Sequence, residues 1–219
     1  MIPVQRQPEP PEFDGTVRQP GLSAISELVG EQPAIRRKGS KRKTVASRRE
    51  ELKSEHFPPY WRDCSEQLIK AYNHICAYTC MYIHPMTGAA TVDHWAPKLR
   101  AWDQVYEWTN YRLACGKVNA RKRDFSDVLD PFEIRDGMFA LDLVSLEAIP
   151  GPNAGEDMDQ VIATVERLGL DHSDYKEELG EYYHNYIESK ITFDYLERHA
   201  PFLASELRRQ NKLLAKDTG

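Results

Sequence analysis

The sequence predicts an α+β fold that is mainly helical and contains one small strand–strand–helix unit. Helices are indicated because apolar residues recur at spacings of three and four from residue 58 onward and again in the C-terminal third. Short strands are indicated in the middle of the chain, where apolar residues stand between turns marked by proline and glycine. Hydrophobic residues make up 41% of the 219 residues, which is enough for a substantial core.

The N-terminal part is predicted to be an extended arm that packs either on a partner or on the rest of the chain. Residues 1–30 are rich in proline and glycine, so an extended arm is expected, with one short helix at 22–30. Residues 31–55 are highly charged and have few apolar side chains, which predicts a flexible segment. The arm is therefore assigned to residues 1–56.

The strand–strand–helix unit is placed in a domain that spans residues 57–150. A helix begins at Pro58 and is expected to run through about residue 83, because Tyr60, Cys64 and Leu68 follow the helical spacing. The remaining elements predicted for this domain are a hairpin at 80–92, a short helix or turn at 100–108, a strand at 110–114, a helix at 115–125 and a strand at 138–146. A C-terminal helical region, 151–219, is expected to contain helices at about 156–169, 172–190 and 193–214.

Charge is distributed unevenly along the chain. The net charge is −5, but residues 36–49 carry eight Arg or Lys and no acid. Residues 155–219 carry 14 Asp or Glu against 8 Lys or Arg. A basic segment of this kind favours contact with a polyanion such as nucleic acid, because each phosphate it neutralises releases counterions. A solvated linker is the equally simple interpretation of the same segment.

The sequence favours a cytoplasmic protein with reduced thiols. It has no run of 18 apolar residues, so no membrane span and no membrane partner are expected. Its first residues lack the apolar core of a secretory signal. Four cysteines are too few for a disulfide scaffold in a chain of this length.

Four polar residues in the middle of the chain stand where chemistry is expected. Asp93 and His94 are adjacent and end a predicted strand. Asn110 follows sixteen residues after His94, and Asn119 lies nine residues further on, in a basic helix. Each residue alone has an ordinary structural interpretation, as a turn, cap or core residue. It is their order that points to one site.

The stretches "TVDHWAPK" at 91–98, "YEWTNYRLAC" at 106–115, "VNARKRD" at 118–124 and "VLDPF" at 128–132 together resemble the HNH endonucleases. The resemblance covers roughly residues 74–133 and implies a ββα-metal core around one Mg²⁺ or Mn²⁺ ion. It implies metal ligation by Asp93 and Asn119, and catalytic roles for His94, Asn110 and Asn119. The phosphate-binding candidates are Arg121, Lys122 and Lys98. The implied activity is hydrolysis of DNA to 5′-phosphate and 3′-hydroxyl ends.

The chemistry of these side chains suits that activity. Phosphodiester hydrolysis needs a base for the attacking water, and the imidazole of His94 titrates near working pH. Asp93 and Asn119 offer hard oxygen atoms, which Mg²⁺ prefers, and two protein ligands leave room for water and phosphate. Asn110 would hold the loop around His94 through its amide.

The cysteines depart from the family pattern. Many HNH proteins bind a structural Zn²⁺ ion through two Cys-x-x-Cys pairs. Here the first pair is stretched to Cys76 and Cys80, and Cys115 has Val118 where its partner should be. Three thiols at these spacings form a poor tetrahedral site, so structural zinc is not expected. Apolar packing around these residues is expected to replace it.

Two alternatives stay open. The chain could be a catalytically inactive HNH-fold module that binds nucleic acid or acts as a scaffold, and RNA is the less expected substrate of an active enzyme. The resemblance also suggests the nuclease subunit of a bacterial anti-phage defence system. The arm and the C-terminal helices would then bind an ATPase partner or a second copy of the chain.

Overall fold

The computed structural model describes residues 1–36 and 38–218, so Arg37 of the basic segment lies outside the described residues. The described residues form an α+β structure with seven α-helices and two small antiparallel two-stranded sheets. The strands are β1 (Ala90–His94), β2 (Tyr111–Cys115), β3 (Phe139–Leu141) and β4 (Ala148–Pro150). The helices are α1 (Gln19–Leu28), α2 (Ser65–Ala71), α3 (Gly116–Lys122), α4 (Met158–Leu168), α5 (Ser173–Ile187), α6 (Phe193–His199) and α7 (Pro201–Arg209).

The chain divides into two compact units whose boundaries differ from the predicted domains. The first unit contains Met1–Gln5, Asn73–Ala90 and Ala114–Gly219, and the second contains Arg6–Tyr72 and Thr91–Leu113. The predicted arm does not stand apart, because most of it supplies the core of the second unit. Within the described residues, no helix combines the length and the apolar character needed to cross a membrane.

The N-terminal helix of the second unit is longer than predicted. A π-helical stretch, Asp14–Arg18, leads directly into α1, so the extended arm expected there is wrong. Phe13 and Val17 are fully buried, and the apolar burial of these side chains stabilises the helix. A Cβ atom on Gly21 would lie only 2.3 Å from the ring of Tyr106, so α1 and this ring can approach closely only because residue 21 is glycine.

The basic segment is irregular, but it is tied to the second unit. Val45 donates a backbone hydrogen bond of 2.8 Å to the carbonyl of Leu28, at the end of α1. Arg42 lies 3.6 Å from the carboxylate of Glu27. The guanidinium of Arg49 packs over the ring of Trp102, at 5.0 Å from its centroid. The expectation of a loose segment is therefore corrected for its second half, which these contacts hold.

The helix predicted from Pro58 to about residue 83 is much shorter. It starts as a 3₁₀ helix over Tyr60–Cys64 and ends as α2 at Ala71. Asn73 and His74 then have positive φ angles of 51° and 61°, which an α-helix cannot contain. The periodic apolar residues beyond this point belong to turns, with one antiparallel bridge between Ile75 and Tyr82.

The first unit holds α3–α7 and the β3–β4 sheet. In that sheet Phe139 pairs with Pro150 and Leu141 with Ala148, so the strand predicted at 138–146 is present but short. The helix predicted at 193–214 is two helices, because Pro201 has no N–H and starts α7. Leu179, Leu196 and Leu207 are each fully buried, which identifies the apolar core of these helices.

Candidate active site

His94 ends β1 and is held by a hydrogen bond to the backbone. Its Nε2 atom lies 3.0 Å from the carbonyl oxygen of Val105. A carbonyl only accepts hydrogen bonds, so Nε2 carries the proton, and in the neutral ring the lone pair belongs to Nδ1. The hydrogen bond to Val105 thus orients the imidazole and, in the neutral ring, assigns its proton to Nε2.

Two aromatic rings enclose the imidazole. The ring of Trp61 meets His94 edge to face, with centroids 4.8 Å apart, and the ring of Tyr111 does so at 5.1 Å. The Tyr111 hydroxyl donates a 2.9 Å hydrogen bond to the carbonyl of Val105, so this oxygen accepts from His94 and Tyr111 together. His94 is 7% exposed as a result, and only a small part of its ring reaches solvent.

Asn110 holds the loop that follows His94. Its Oδ1 accepts a 2.7 Å hydrogen bond from the N–H of Ala96. Its Nδ2 donates to the carbonyls of Ala96 at 3.2 Å and Gln104 at 2.9 Å. The backbone adds a bond from the N–H of Trp95 to the Asn110 carbonyl, at 2.9 Å. The predicted contact between this amide and the loop is therefore present, while its part in catalysis stays a prediction.

Asp93 is a buried carboxylate next to a lysine. It is 3% exposed and contributes an electrostatic attraction to Lys98. Burial lowers the pKa of Lys98, the charge of Asp93 opposes this shift, and the charge of Arg62 adds to it. The Lys98 ammonium also lies over the ring of Trp61, at 4.1 Å from its centroid. Lys98 therefore lies close to Asp93 and Trp61, and both of these residues neighbour the candidate base His94.

Helix α3 carries the predicted phosphate-binding residues Arg121 and Lys122 and the predicted metal ligand Asn119. Arg121 is ion-paired with Asp174 at 2.9 Å. It also donates to the carbonyls of Leu168 and Gly169, at 3.4 Å each. Lys122 is 0% exposed. Arg121 is therefore ion-paired within the first unit and Lys122 is completely buried, while their part in phosphate binding stays a prediction. Asn119 is half-buried on α3.

The thiols predicted as a degraded zinc site bond to neighbouring groups of the first unit. Cys76 and Cys80 are buried, and Val118 packs with 3% exposure. The Cys76 sulfur accepts hydrogen bonds from the N–H groups of Thr79 at 3.5 Å and Cys115 at 3.4 Å. Burial opposes ionisation of Cys76, but these bonds and one from the Cys115 thiol outweigh it and lower its pKa to about 6.

Among residues 1–36 and 38–218, no group of three or more His, Cys, Asp or Glu side chains could hold a metal ion. Asp93 belongs to the second unit and Asn119 to the first, and each carries an oxygen donor of the type that Mg²⁺ accepts.

The residues that contact His94 could not be identified from the sequence. Trp61 was assigned to a regular helix, and its contact with the imidazole joins residues that are distant in the chain. Tyr111 was treated only as part of a strand. A signal for it did exist, since a tyrosine beside Asn110 at a strand start is placed to reach the same loop. The accepting group, the Val105 carbonyl, has no side-chain signature at all.

No protein-family model matches this chain, and no curated protein matches it.

Proposed function

We propose that this protein is a divalent-metal-dependent endonuclease of the HNH type that hydrolyses DNA. The observation that carries the proposal is the contact between His94 Nε2 and the Val105 carbonyl, from which we infer that Nε2 carries the proton and that Nδ1 of the neutral ring bears the basic lone pair. A base of defined orientation at the end of a strand, directly after a buried carboxylate, is what activation of a water molecule requires.

In the proposed reaction, each of these residues has a separate role. Nδ1 of His94 takes a proton from the attacking water, and the resulting imidazolium is stabilised by the Val105 carbonyl. Asp93 and, by the resemblance, Asn119 are the proposed oxygen ligands of one Mg²⁺ or Mn²⁺ ion. When bound, such an ion supplies positive charge against the phosphate and the departing 3′ oxygen. Asn110 keeps the loop in place, so that the imidazole stays oriented.

Cations of the second unit support a polyanionic substrate. Lys98 is half-buried near Asp93, and Arg62 is exposed close enough to Lys98 to lower its pKa. In the basic segment, Lys38, Lys41 and Lys43 are exposed. Cations of this kind bind phosphates without reading base sequence, so the affinity would fall steeply with salt.

The decisive experiment is nicking of supercoiled plasmid in the presence of Mg²⁺ or Mn²⁺. We expect cleavage by the native chain and a loss of at least about 100-fold in rate for His94→Ala, because a general base contributes about that much or more. The matched control is His84→Ala, which removes an exposed imidazole outside the site and is expected to cleave at the native rate.

Other outcomes identify the alternatives. Equal rates for the native chain and His94→Ala would refute the nuclease assignment. DNA binding without cleavage under every metal condition would favour an inactive binding or scaffold module. Labelled RNA in parallel reactions tests the remaining alternative, since preferential RNA cleavage that depends on His94 would replace DNA as the substrate.

A further inference from the structure

Two thiols of the first unit are in contact. Cys76 is 0% exposed, and its sulfur accepts a hydrogen bond from the thiol of Cys115. It also accepts the backbone N–H of Cys115 at 3.4 Å, so the two residues approach through both main chain and side chain. Cys115 is partly exposed and lines a cavity of about 360 Å³ beside α3, together with Lys117 and Glu178. Cys115 is therefore the cysteine of the pair that borders the cavity, and Cys76 is the buried one.

We propose that Cys76 and Cys115 form a reversible disulfide, which makes the first unit sensitive to oxidation by peroxide. The thiol and the backbone N–H of Cys115 both contact the Cys76 sulfur, which is the proximity that a disulfide requires. The other cysteines have different partners. Cys80 directs its thiol to the carbonyl of Ala77, at 4.0 Å, and Cys64 donates to the carbonyl of Trp61, at 3.2 Å.

The reaction balances with hydrogen peroxide as oxidant. The hydrogen bond to Cys76 and burial raise the pKa of the Cys115 thiol, so its proton passes to the Cys76 thiolate as the Cys115 sulfur attacks one peroxide oxygen. The O–O bond breaks, and hydroxide leaves as Cys115 becomes a sulfenic acid. The Cys76 sulfur then attacks the Cys115 sulfur, the S–O bond breaks, and a second hydroxide leaves. The two thiol protons join the two hydroxide ions as water. Two thiols are oxidised to one disulfide, and one peroxide is reduced to two molecules of water.

The surroundings of Cys76 favour the second step. Its sulfur accepts N–H groups from Thr79 and Cys115, and such bonds stabilise the thiolate that must attack. Cys115 is the residue directly before α3, so the cross-link would attach the start of this helix to the turn at residues 76–79. The bond would close a long loop, which adds resistance to unfolding.

The test uses the full-length chain, reduced, freed of reductant and treated with hydrogen peroxide. Mass spectrometry is expected to show the loss of two hydrogen atoms per chain and, after trypsin digestion, peptides 71–98 and 113–117 joined by a bond that dithiothreitol breaks. Cys76→Ser and Cys115→Ser are expected to abolish the cross-link, while Cys64→Ser and Cys80→Ser retain it. The Cys80 control is needed because Cys76 and Cys80 share one tryptic peptide.

Two results overturn the proposal: a cross-link that survives Cys76→Ser, or treatment that only adds oxygen to Cys115. Circular dichroism of each variant shows whether it folds. If Cys76→Ser unfolds, the proposal is tested by the other two variants: the cross-link should be absent in Cys115→Ser, whose substitution is at a partly exposed residue, and present in the Cys80→Ser control. The readout is a covalent mass and does not depend on nuclease activity, so failure of the proposed function leaves this test intact.

Discussion

Replacing Asn110 with alanine removes the side chain that holds the loop after His94. The side chain is 4% exposed and makes three hydrogen bonds, to the N–H and carbonyl of Ala96 and to the carbonyl of Gln104. At about 1 kcal/mol each, their loss predicts a decrease of about 3 kcal/mol in the free energy of unfolding of the second unit.

Urea denaturation followed by tryptophan fluorescence measures this decrease. All four tryptophans, Trp61, Trp95, Trp102 and Trp108, belong to the second unit, so the signal reports that unit specifically. The matched control is Gln32→Ala, which removes an exposed amide of the same unit and is expected to change the free energy by less than about 0.5 kcal/mol. A loss below about 1 kcal/mol for Asn110→Ala would refute the assigned hydrogen bonds.

Two further predictions concern single contacts. Tyr111→Phe removes one of the two donors to the Val105 carbonyl, so it should cost about 1 kcal/mol in the same denaturation assay, and no measurable cost would contradict the shared acceptor. Asp174→Asn removes the acid that pairs with Lys117 and Arg121. The Lys117 ammonium and Arg121 lower the pKa of Asp174 from 3.8 to about 2, so its stabilisation is present above pH 4 and lost as the pH falls toward 2. The free energies of unfolding of the native and variant chains should therefore differ by about 1 kcal/mol at neutral pH, a small difference because solvent screens the ion pair. In thermal melts at acid pH the two chains should have the same stability. A difference in stability that does not change with pH would contradict this prediction.

Local patterns in the sequence were sufficient to predict some helices and strands but not others. Helix α3 and strand β2 follow the predicted ranges because their residue types and neighbours agree on one structure. Pro201 should have divided the last predicted helix, since the residue before a proline disfavours the helical conformation, and Ala200 has a φ of −142°. Pro201 therefore indicated the end of one helix and the start of the next, but the apolar spacing across 193–214 favoured a single helix.

In the candidate site, too, contacts within one short segment could be predicted from the sequence, whereas packing between distant segments could not. The contacts of Asn110 were predictable because they lie within a short loop of the chain. The burial of Lys122 was not, because a run of basic residues on a helix gives no sign of which side faces the core. The enclosure of His94 by Trp61 depends on packing between segments far apart in sequence, which periodicity cannot report.

The close approach of Gly21 and Tyr106 gives the first thirty residues an importance that their composition conceals. Any side chain at position 21 would collide with the phenol ring, whose hydroxyl donates to the carbonyl of Pro58 at 2.9 Å. A saturation library should tolerate no replacement there. Deleting the proline-rich start of the chain, a common choice when a shorter protein is wanted for crystals, would leave the segment before Asn110 without its support.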